Sequence, residues 1–304
     1  MYNTTVKLTG KTITDNLYMN LQERVNNLAK RNIVPHLVVL LVGSDPASLA
    51  YIKQKQKQAE FIGSKVTVMT FPTTITTEEL VEKIELLNVD PFVHGILIQR
   101  PLPEHIDAEL LAHKTNPEKD IDGFHPDSPY TLPLPLAILK ILEYIYSSRH
   151  PEQSEGSQTK RVSSVSPQND KFMSWLKTQN IVILGKGETG GQPIITYLQK
   201  HKLNPQVIDS KTKNAERLLQ QADIVISAVG KPEVIKPKDL KKGAILLGVG
   251  MKQGEGKKLL GDYEETTVEN IVSYYTPTPH GVGPVNVAML MDNLVIATEK
   301  QTKN

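Results

Sequence analysis

Cysteine is absent from all 304 residues, so the chain can form neither disulfides nor thiolate-ligated metal sites. The chain also lacks a large excess of either charge, because its 35 Lys and Arg residues nearly balance its 33 Asp and Glu residues and leave a net charge of +2. This balance argues against electrostatic capture of nucleic acid or a membrane surface. No stretch reaches the roughly 18 to 20 apolar residues of a membrane span, and the opening MYNTTVKLTGK lacks the apolar core of a signal peptide. We therefore expect a cytoplasmic protein without a bound metal.

Short apolar runs alternate with helical patterns in the first half of the chain. This alternation predicts a parallel sheet covered by helices on both faces. The expected strands span residues 36–42, 66–71 and 94–99, and the expected helices span 12–31, 46–62, 77–87, 104–113 and 135–146.

A second alternating series follows a stretch rich in Ser and Gln, 147–170, whose composition predicts a flexible insertion. Its order is of the Rossmann type, with strands at 180–184, 206–208, 224–228 and 244–249 and helices at 191–200 and 215–221. The last helix, 287–300, begins apolar on nearly all sides, so we expect it to be buried against the first domain.

The predicted fold class is therefore α/β with two domains. The first is an N-terminal three-layer parallel-sheet catalytic domain made of residues 1–146 and 279–304. The second is a Rossmann-type dinucleotide-binding domain made of residues 171–278.

A glycine-rich turn, GKGETGG, joins the first strand of the second series to its helix. Its G-x-G-x-x-G spacing lets the backbone approach a pyrophosphate at the helix N-terminus, although the same turn could lack a ligand. Asp209 ends the next strand, where a carboxylate accepts hydrogen bonds from ribose hydroxyls and favours NAD over NADP, or merely begins a turn. The predicted cofactor-binding residues are Gly185, Lys186, Gly187, Gly190, Gly191, Asp209, Ser210, Ala228, Val229 and Gly230.

Ser48, Tyr51 and Lys55 are spaced i, i+3 and i+7 in a predicted helix and so share one face. Lys53 and Lys57 point elsewhere, which is typical of a solvated face. Alone, Lys55 is more simply read as a surface lysine, but a phenol one turn earlier can position an amine.

Gln99 ends a predicted strand, where parallel sheets gather their ligand groups. The later loop KDIDGFHP carries Asp120 and Asp122. Two acids at this spacing could bind a metal, form an acid/base pair or cap a turn, and the residues alone favour the turn.

Together these segments resemble the bifunctional methylenetetrahydrofolate dehydrogenase/methenyltetrahydrofolate cyclohydrolase family. The matching segments occur in the family's order over nearly the whole chain: VGSDPASLAYIKQKQKQAE, GILIQRPLPEHID, KDIDGFHP, ADIVISAVGKP and TPTPHGVGPVNVAMLMDN. The resemblance implies that 5,10-methylenetetrahydrofolate is oxidised with NAD or NADP. It also implies hydrolysis of the methenyl product to 10-formyltetrahydrofolate, and a homodimer.

The resemblance also implies roles for individual residues. Lys55 would be the acid/base of the hydrolysis, Gln99 would bond to it, and Tyr51 would pack against the folate and orient the lysine. Asp122 would hold the amino-pyrimidine edge of the pterin, a fit for a carboxylate facing two N–H donors. The implied substrate-binding residues, including a loop that would close over the folate, are Ser48, Tyr51, Asp122, Pro277, Gly281, Gly283 and Pro284.

Elementary chemistry supports the role of Lys55 independently. Methenyltetrahydrofolate carries a cationic amidinium, and a partly desolvated lysine beside that cation loses its proton more easily. As a neutral amine it can take a proton from the attacking water.

Several positions depart from the family. Arg100 stands in place of a leucine, and the family's Pro-Cys-Thr-Pro segment is LPLP at 132–135. The departures on the cofactor side are Gly187 for serine, Asp209 for histidine, Gly248 for aspartate, His280 for glycine and Asn286 for threonine. They leave two alternatives open: an enzyme with cyclohydrolase activity alone, or a catalytically silent dinucleotide-binding protein.

Overall fold

The computed structural model describes residues 5–153, 170–254 and 259–303. Its contacts divide the chain into two compact units. The first, here called the lysine unit, comprises Asn16–Pro133 and Val287–Asn304. The second, here called the glycine-loop unit, comprises Met1–Asp15 and Leu134–Asn286.

The elements of both units are numbered along the chain. The strands are β1 (Val6–Lys7), β2 (His36–Val42), β3 (Lys65–Phe71), β4 (Gly95–Ile98), β5 (Ile181–Leu184), β6 (Gln206–Ile208), β7 (Ile224–Ser227), β8 (Ile245–Gly248), β9 (Met251–Gln253), β10 (Leu259–Gly261) and β11 (Tyr274–Tyr275). The α-helices are α1 (Gly10–Ala29), α2 (Pro46–Ile62), α3 (Thr77–Val89), α4 (Ala108–Lys114), α5 (Pro133–Arg149), α6 (Asp170–Lys177), α7 (Gly191–Lys200), α8 (Ala215–Gln221), α9 (Glu265–Val268) and α10 (Val282–Gln301). Short 3-10 turns occur at Pro151–Gln153 and Pro237–Asp239.

The lysine unit is built on a parallel sheet in the order β3-β2-β4. The central strand, β2, reads HLVVLLV and is buried on both faces after its first residue, as expected of a strand with neighbours on both sides and helices above and below. A bridge between Ile96 and Asp120 places the carboxylate loop beside β4. The carboxyl end of this sheet therefore carries both Gln99 and the carboxylate loop.

Helix α2 begins at the same end of the sheet. Asp45 is its N-cap and accepts a hydrogen bond from the Ser48 amide, and Pro46 occupies the first position of the helix. Both choices are favoured at helix starts, because the cap satisfies a free N–H and proline lacks one. The helix start is thus fixed where its first turns face the strand ends.

The glycine-loop unit contains a parallel sheet in the order β1-β11-β8-β7-β5-β6. The strands β5, β7 and β8 are buried throughout. The chain moves outward from β5 to β6 and then crosses to β7 on the other side, so the crevice beside β5 is the usual ligand position in this fold. The hairpin β9–β10 is antiparallel.

The predicted alternation of strands and helices is confirmed, with corrections at several boundaries. The expected helix at 104–113 is shorter, because Asp107 caps it and it covers only Ala108–Lys114. The last helix begins at Val282, so Gly283 and Pro284 lie in its first turn and not in a loop. Helix α5 runs on to Arg149, so residues 147–149 belong to it and not to the insertion. Residues 154–169 of the predicted insertion lie outside the described residues.

The two units and the two predicted domains differ at the N-terminus and near α5. Strand β1 pairs with β11, which joins the first residues to the glycine-loop sheet. Leu134–Asn286 also belongs to that unit, whereas the prediction assigned 135–146 and 279–286 to the first domain. From Val287 onward, α10 belongs to the lysine unit, where the last helix was expected.

None of the helices in residues 5–153, 170–254 and 259–303 is long and apolar enough to span a membrane.

Candidate active site

The side chain of Lys55 is held at the end of strand β4. Its Nζ donates a hydrogen bond to Gln99 Oε1 at 2.9 Å. Gln99 Nε2 in turn donates to the Arg100 carbonyl oxygen at 2.7 Å, which directs the amide oxygen toward the lysine. Burial lowers the pKa of Lys55, and the Asp122 carboxylate opposes that shift. The site therefore favours the neutral amine more than water does.

The rest of the α2 face agrees with the predicted spacing. Ser48 is buried and Tyr51 is half-buried, and burial raises the pKa of the Tyr51 phenol. Lys53 and Lys57 are exposed, as predicted for the opposite face. Helix α2 thus directs Lys55 toward the interior and leaves the other two lysines of the helix, Lys53 and Lys57, in solvent.

The carboxylate loop uses its two acids differently. Asp120 Oδ2 accepts a hydrogen bond from the His125 amide at 2.7 Å, and the Asp120 carbonyl accepts one from Ser128 Oγ at 2.9 Å. Asp120 therefore caps a turn, as predicted from the residues, and burial raises its pKa to about 6. Burial also raises the pKa of Asp122, while the charges of Lys55 and Arg100 lower it. Asp122 is thus the acid that faces the cations.

Two residues that sequence reasoning missed hold this loop in place. Asn293 of α10 donates from Nδ2 to the Ile121 carbonyl at 2.8 Å and to the Thr131 carbonyl at 2.9 Å. Lys119 donates from Nζ to the Leu87 and Asp90 carbonyls at the end of α3. A polar residue inside an apolar helix was a usable signal for Asn293, whereas nothing distinguished Lys119 from a solvated lysine.

In the glycine-loop unit, the turn after β5 requires two of its glycines. Gly185 has a φ of +86°, and an added Cβ would lie 2.6 Å from the Ala228 carbonyl oxygen. A Cβ on Gly191 would overlap the Gly185 carbonyl oxygen. Gly190 precedes α7 without a side-chain cap, which leaves amides at the helix start available for an anion. The turn fits the pyrophosphate of a dinucleotide, while Gly187, with open space around its Cα, is not sterically required.

Asp209 lies at the end of β6, where the sequence placed it. Its Oδ2 pairs with Lys186 Nζ at 2.8 Å, and its Oδ1 accepts from the Lys211 amide and the Thr212 hydroxyl, each at 3.0 Å. The lysine and these two donors lower the pKa of Asp209 to about 2. Asp209 therefore starts a turn, with Ser210 inside it, and remains an ionised carboxylate.

The loop after β7 is tied to a buried acid that the sequence did not single out. Asp262 is fully buried and accepts hydrogen bonds from Ser227 Oγ at 2.6 Å, Val229 N at 3.0 Å and Lys231 N at 2.9 Å. This one carboxylate sets the path of the predicted cofactor-binding residues 228–230. A single Asp in GDYEE gives no sequence signal for such a role.

The proline-rich loop before α10 also lies in the glycine-loop unit. His280 has a φ of +80°, the region that glycine favours, and its carbonyl accepts from Gly10 N at 2.7 Å. A Cβ on Gly281 would lie 2.5 Å from the Pro277 carbonyl oxygen. The backbone here retains a glycine-like course even though histidine stands at 280.

Models of two protein-domain families match the chain. Residues 8–122 match the catalytic domain of tetrahydrofolate dehydrogenase/cyclohydrolase, and residues 170–302 match its NAD(P)-binding domain. The chain belongs to this family. The family that the sequence motifs predicted is thereby confirmed, as is the predicted two-domain α/β fold class.

Individual family members match over nearly the full length. The bifunctional protein FolD of Ligilactobacillus salivarius is 36% identical over 299 residues, 96% of each chain. The crystal structure of the bifunctional FolD enzyme of Campylobacter jejuni is 32% identical, with a TM-score of 0.83 over 97% of this chain and 99% of that one. The enzyme of Trypanosoma brucei, solved with NADP and an inhibitor, is 27% identical, with a TM-score of 0.77 over 99% of both chains.

Within the family match, the two domain models cover the two constellations described above. Lys55, Gln99 and Asp122 fall in the catalytic-domain match, and the turn at 185–191 and Asp209 fall in the NAD(P)-binding match. A nicotinamide dinucleotide is therefore the cofactor of this chain.

Proposed function

We propose that this chain oxidises 5,10-methylenetetrahydrofolate with a nicotinamide dinucleotide and hydrolyses the resulting 5,10-methenyltetrahydrofolate to 10-formyltetrahydrofolate. Family membership supports both reactions. The observation that carries the hydrolysis is the hydrogen bond of 2.9 Å between Lys55 Nζ and Gln99 Oε1, in a partly buried site beside Asp122.

In the hydrolysis, water attacks the cationic amidinium carbon of the methenyl group. Neutral Lys55 takes one proton as the new C–O bond forms, and Gln99 holds the amine toward the reacting atoms. The protonated lysine then gives a proton to the ring nitrogen N5 as its bond to carbon breaks. The hydroxyl proton of the adduct leaves to solvent, so one water is consumed and one proton is released. The Asp122 carboxylate accepts N–H donors of the pterin and fixes its orientation.

For the oxidation, the turn at 185–191 and the loop after β7 would hold the dinucleotide, whose nicotinamide would supply the hydride-accepting chemistry. The chain itself contributes binding and orientation. At the start of α7, Gly185 and Gly191 let the backbone of the turn pack closely against itself and against Ala228, and Asp262 holds the loop after β7 in position. Tyr51 offers its ring as a packing surface for the folate.

Absorbance assays with methylenetetrahydrofolate and either NAD or NADP test both reactions. We expect Lys55→Met to abolish methenyl hydrolysis, a loss of about 100-fold or more, while hydride transfer persists at least in part. Lys53→Met is the matched control, because it removes an exposed lysine from the same helix and leaves both reactions unchanged. Normal hydrolysis by Lys55→Met would refute the assigned role, and absent dehydrogenation in the wild type would leave a cyclohydrolase alone.

We further propose that NAD is preferred over NADP, by about tenfold or less. The support is the ionised Asp209 carboxylate at the end of β6, where it can accept ribose hydroxyls and repels a 2′-phosphate. Lys186 at 2.8 Å offsets part of that charge, which keeps the preference small.

The ratio of kcat/KM for the two cofactors tests the choice. Asp209→Ser should move the ratio toward NADP, because the repulsion disappears and Lys186 becomes available to a phosphate. Lys186→Met should move it toward NAD. A wild type that already favours NADP, with a ratio unaffected by Asp209→Ser, would remove Asp209 from cofactor selection.

A homodimer in the cytoplasm is also proposed, on the family resemblance. Light scattering should give a mass of twice the 33.8 kDa of one chain. A mass of 33.8 kDa at assay concentration would contradict the dimer.

A further inference from the structure

Arg100 directly follows Gln99 and contributes a permanent charge to the lysine unit. Its guanidinium carbon stands 4.2 Å from the centroid of the Phe124 ring, a cation–π contact. Arg100, Phe124, Asp120 and Asp122 line a common cavity beneath the end of β4. The aromatic ring therefore supports the guanidinium in a cavity that both carboxylates also line.

Three charged groups face Asp122. Lys55 approaches from α2, Arg100 from the end of β4, and Asp120 from the same loop. Burial raises the pKa of Asp122, and the two cations lower it. The Asp122 carboxylate in turn contributes to the raised pKa of Asp120, since the two carboxylates repel each other.

The two cations differ in permanence. A guanidinium stays protonated at every pH that the enzyme meets, whereas an amine in a desolvated site does not. When Lys55 gives up its proton, Asp122 loses one of its two positive neighbours. Without another, the pKa of the partly buried carboxylate would rise further, and a protonated Asp122 could no longer accept two N–H donors.

We propose that Arg100 is a positioning residue that keeps the Asp122 carboxylate ionised while Lys55 is a neutral amine. The positive charge of Arg100 is here called the counter-charge of Asp122. Its importance for the mechanism rests on the proposed hydrolysis, whereas its effect on the ionisation of Asp122 does not depend on that reaction. The arrangement allows a neutral base and a carboxylate anion to exist side by side in one partly buried site.

A 13C NMR titration of the aspartate carboxylates tests the proposal, with Asp122→Asn to assign the signal. Arg100→Leu should raise the pKa of Asp122 by about one pH unit, because one of its two cations is removed. Arg100→Lys should restore most of the wild-type value. Phe124→Leu should raise it less than Arg100→Leu does, because the guanidinium loses its aromatic support.

Two controls keep the outcomes separate. Lys53→Met removes an exposed charge from α2 and should leave the pKa of Asp122 unchanged. Repeating Arg100→Leu in the Lys55→Met background should still raise the pKa of Asp122, even though hydrolysis is absent there. The titration therefore tests the effect of Arg100 on Asp122 whether or not the protein catalyses hydrolysis.

A pKa of Asp122 unaffected by Arg100→Leu in both backgrounds would overturn the proposal. A shift equal in Arg100→Leu and Arg100→Lys would also overturn it, since packing and not charge would be the cause. With Lys55 present, the acidic limb of the pH–rate profile of hydrolysis should move to higher pH in Arg100→Leu, because Asp122 takes up its proton at higher pH. If the pKa of Asp122 shifts but the pH profile of hydrolysis does not, the role assigned to the carboxylate in hydrolysis is refuted. The effect of Arg100 on the charge of Asp122 would still hold.

Discussion

The two candidate constellations of this chain are built in opposite ways. The lysine unit concentrates its chemistry in side chains, with Lys55 hydrogen-bonded to Gln99 and facing a partly buried Asp122. The glycine-loop unit offers mainly backbone, through a turn in which backbone atoms pack where the side chains of residues 185 and 191 would stand. The first therefore depends on which functional groups are present, and the second on which groups are absent.

The difference also decides which substitutions each region tolerates. In the lysine unit a change of one functional group removes a charge or a proton carrier while the backbone stays in place. In the glycine loop a single methyl group matters where its position meets backbone, and is harmless where it meets solvent. The following variants test this contrast, in order of decreasing expected effect.

Glycine-to-alanine substitutions separate the required glycines from the tolerated ones. Gly191→Ala places a methyl group on the Gly185 carbonyl oxygen, so the backbone must shift. We expect the dinucleotide Kd to rise by about 10- to 100-fold, in line with an overpacking cost of about 1–3 kcal/mol. Gly187→Ala meets open space and should bind normally. Calorimetric titration with NAD measures both, and equal effects would break the contrast.

Asp262 is the exception that sharpens the comparison, because it is a side chain supporting a backbone loop. Asp262→Ala leaves Ser227 Oγ and the amides of Val229 and Lys231 without their buried acceptor. We expect a loss of about 1–3 kcal/mol in unfolding free energy. The KM for the dinucleotide should rise while methenyl hydrolysis continues. Asp262→Asn keeps one acceptor oxygen, so its stability and its KM should lie between those of the wild type and Asp262→Ala. An unchanged KM in Asp262→Ala would show that Asp262 has no part in cofactor binding.

The opposite end of β4 tests whether burial alone sets protonation in the lysine unit. His94 precedes the strand, is 5% exposed, and accepts from His36 N through Nδ1 at 3.3 Å. Burial, assisted by the charges of His36 and Lys119, lowers its pKa to about 4. Between pH 6.5 and 4 the unfolded state binds this proton and the folded state does not, so stability falls with acidification.

The matched variant for that effect is His94→Gln, which cannot take up the proton. From pH 7 to pH 5 its unfolding free energy should improve relative to wild type by about 1–2 kcal/mol. Asp120, with its pKa raised to about 6, stabilises the fold in the same range on acidification, but it contributes equally to both proteins. Denaturant unfolding at both pH values measures the difference, and parallel pH profiles would contradict the shifted pKa of His94.

Much of this arrangement was predictable from sequence. The spacing of Tyr51 and Lys55 predicts that they share one helix face. Because strand ends and helix starts meet at one edge of a parallel sheet, Gln99 at a strand end is expected near that face. The glycine turn was predictable for the same reason. These inferences need only local periodicity and the general geometry of parallel sheets.

The remainder depends on contacts between distant segments. The strands β1 and β11 are two residues long, too short for any period, and exist only because they pair. Asp262 and Asn293 reach loops far away in the chain, and neither sits in a motif. The length of α4 was overestimated, because the cap at Asp107 competes with a helical pattern that begins earlier.

The central claim is that burial beside Gln99 lowers the pKa of Lys55 and so favours the neutral amine that the hydrolysis needs. A 15N NMR titration of the lysine Nζ groups tests it directly, with Lys55→Met to assign the signal. The exposed Lys53 and Lys57 serve as references within the same spectrum. We predict that Lys55 titrates at lower pH than both, and that Asp122→Asn lowers its pKa further by removing the opposing carboxylate. A Lys55 pKa equal to or above those of Lys53 and Lys57 would contradict the account.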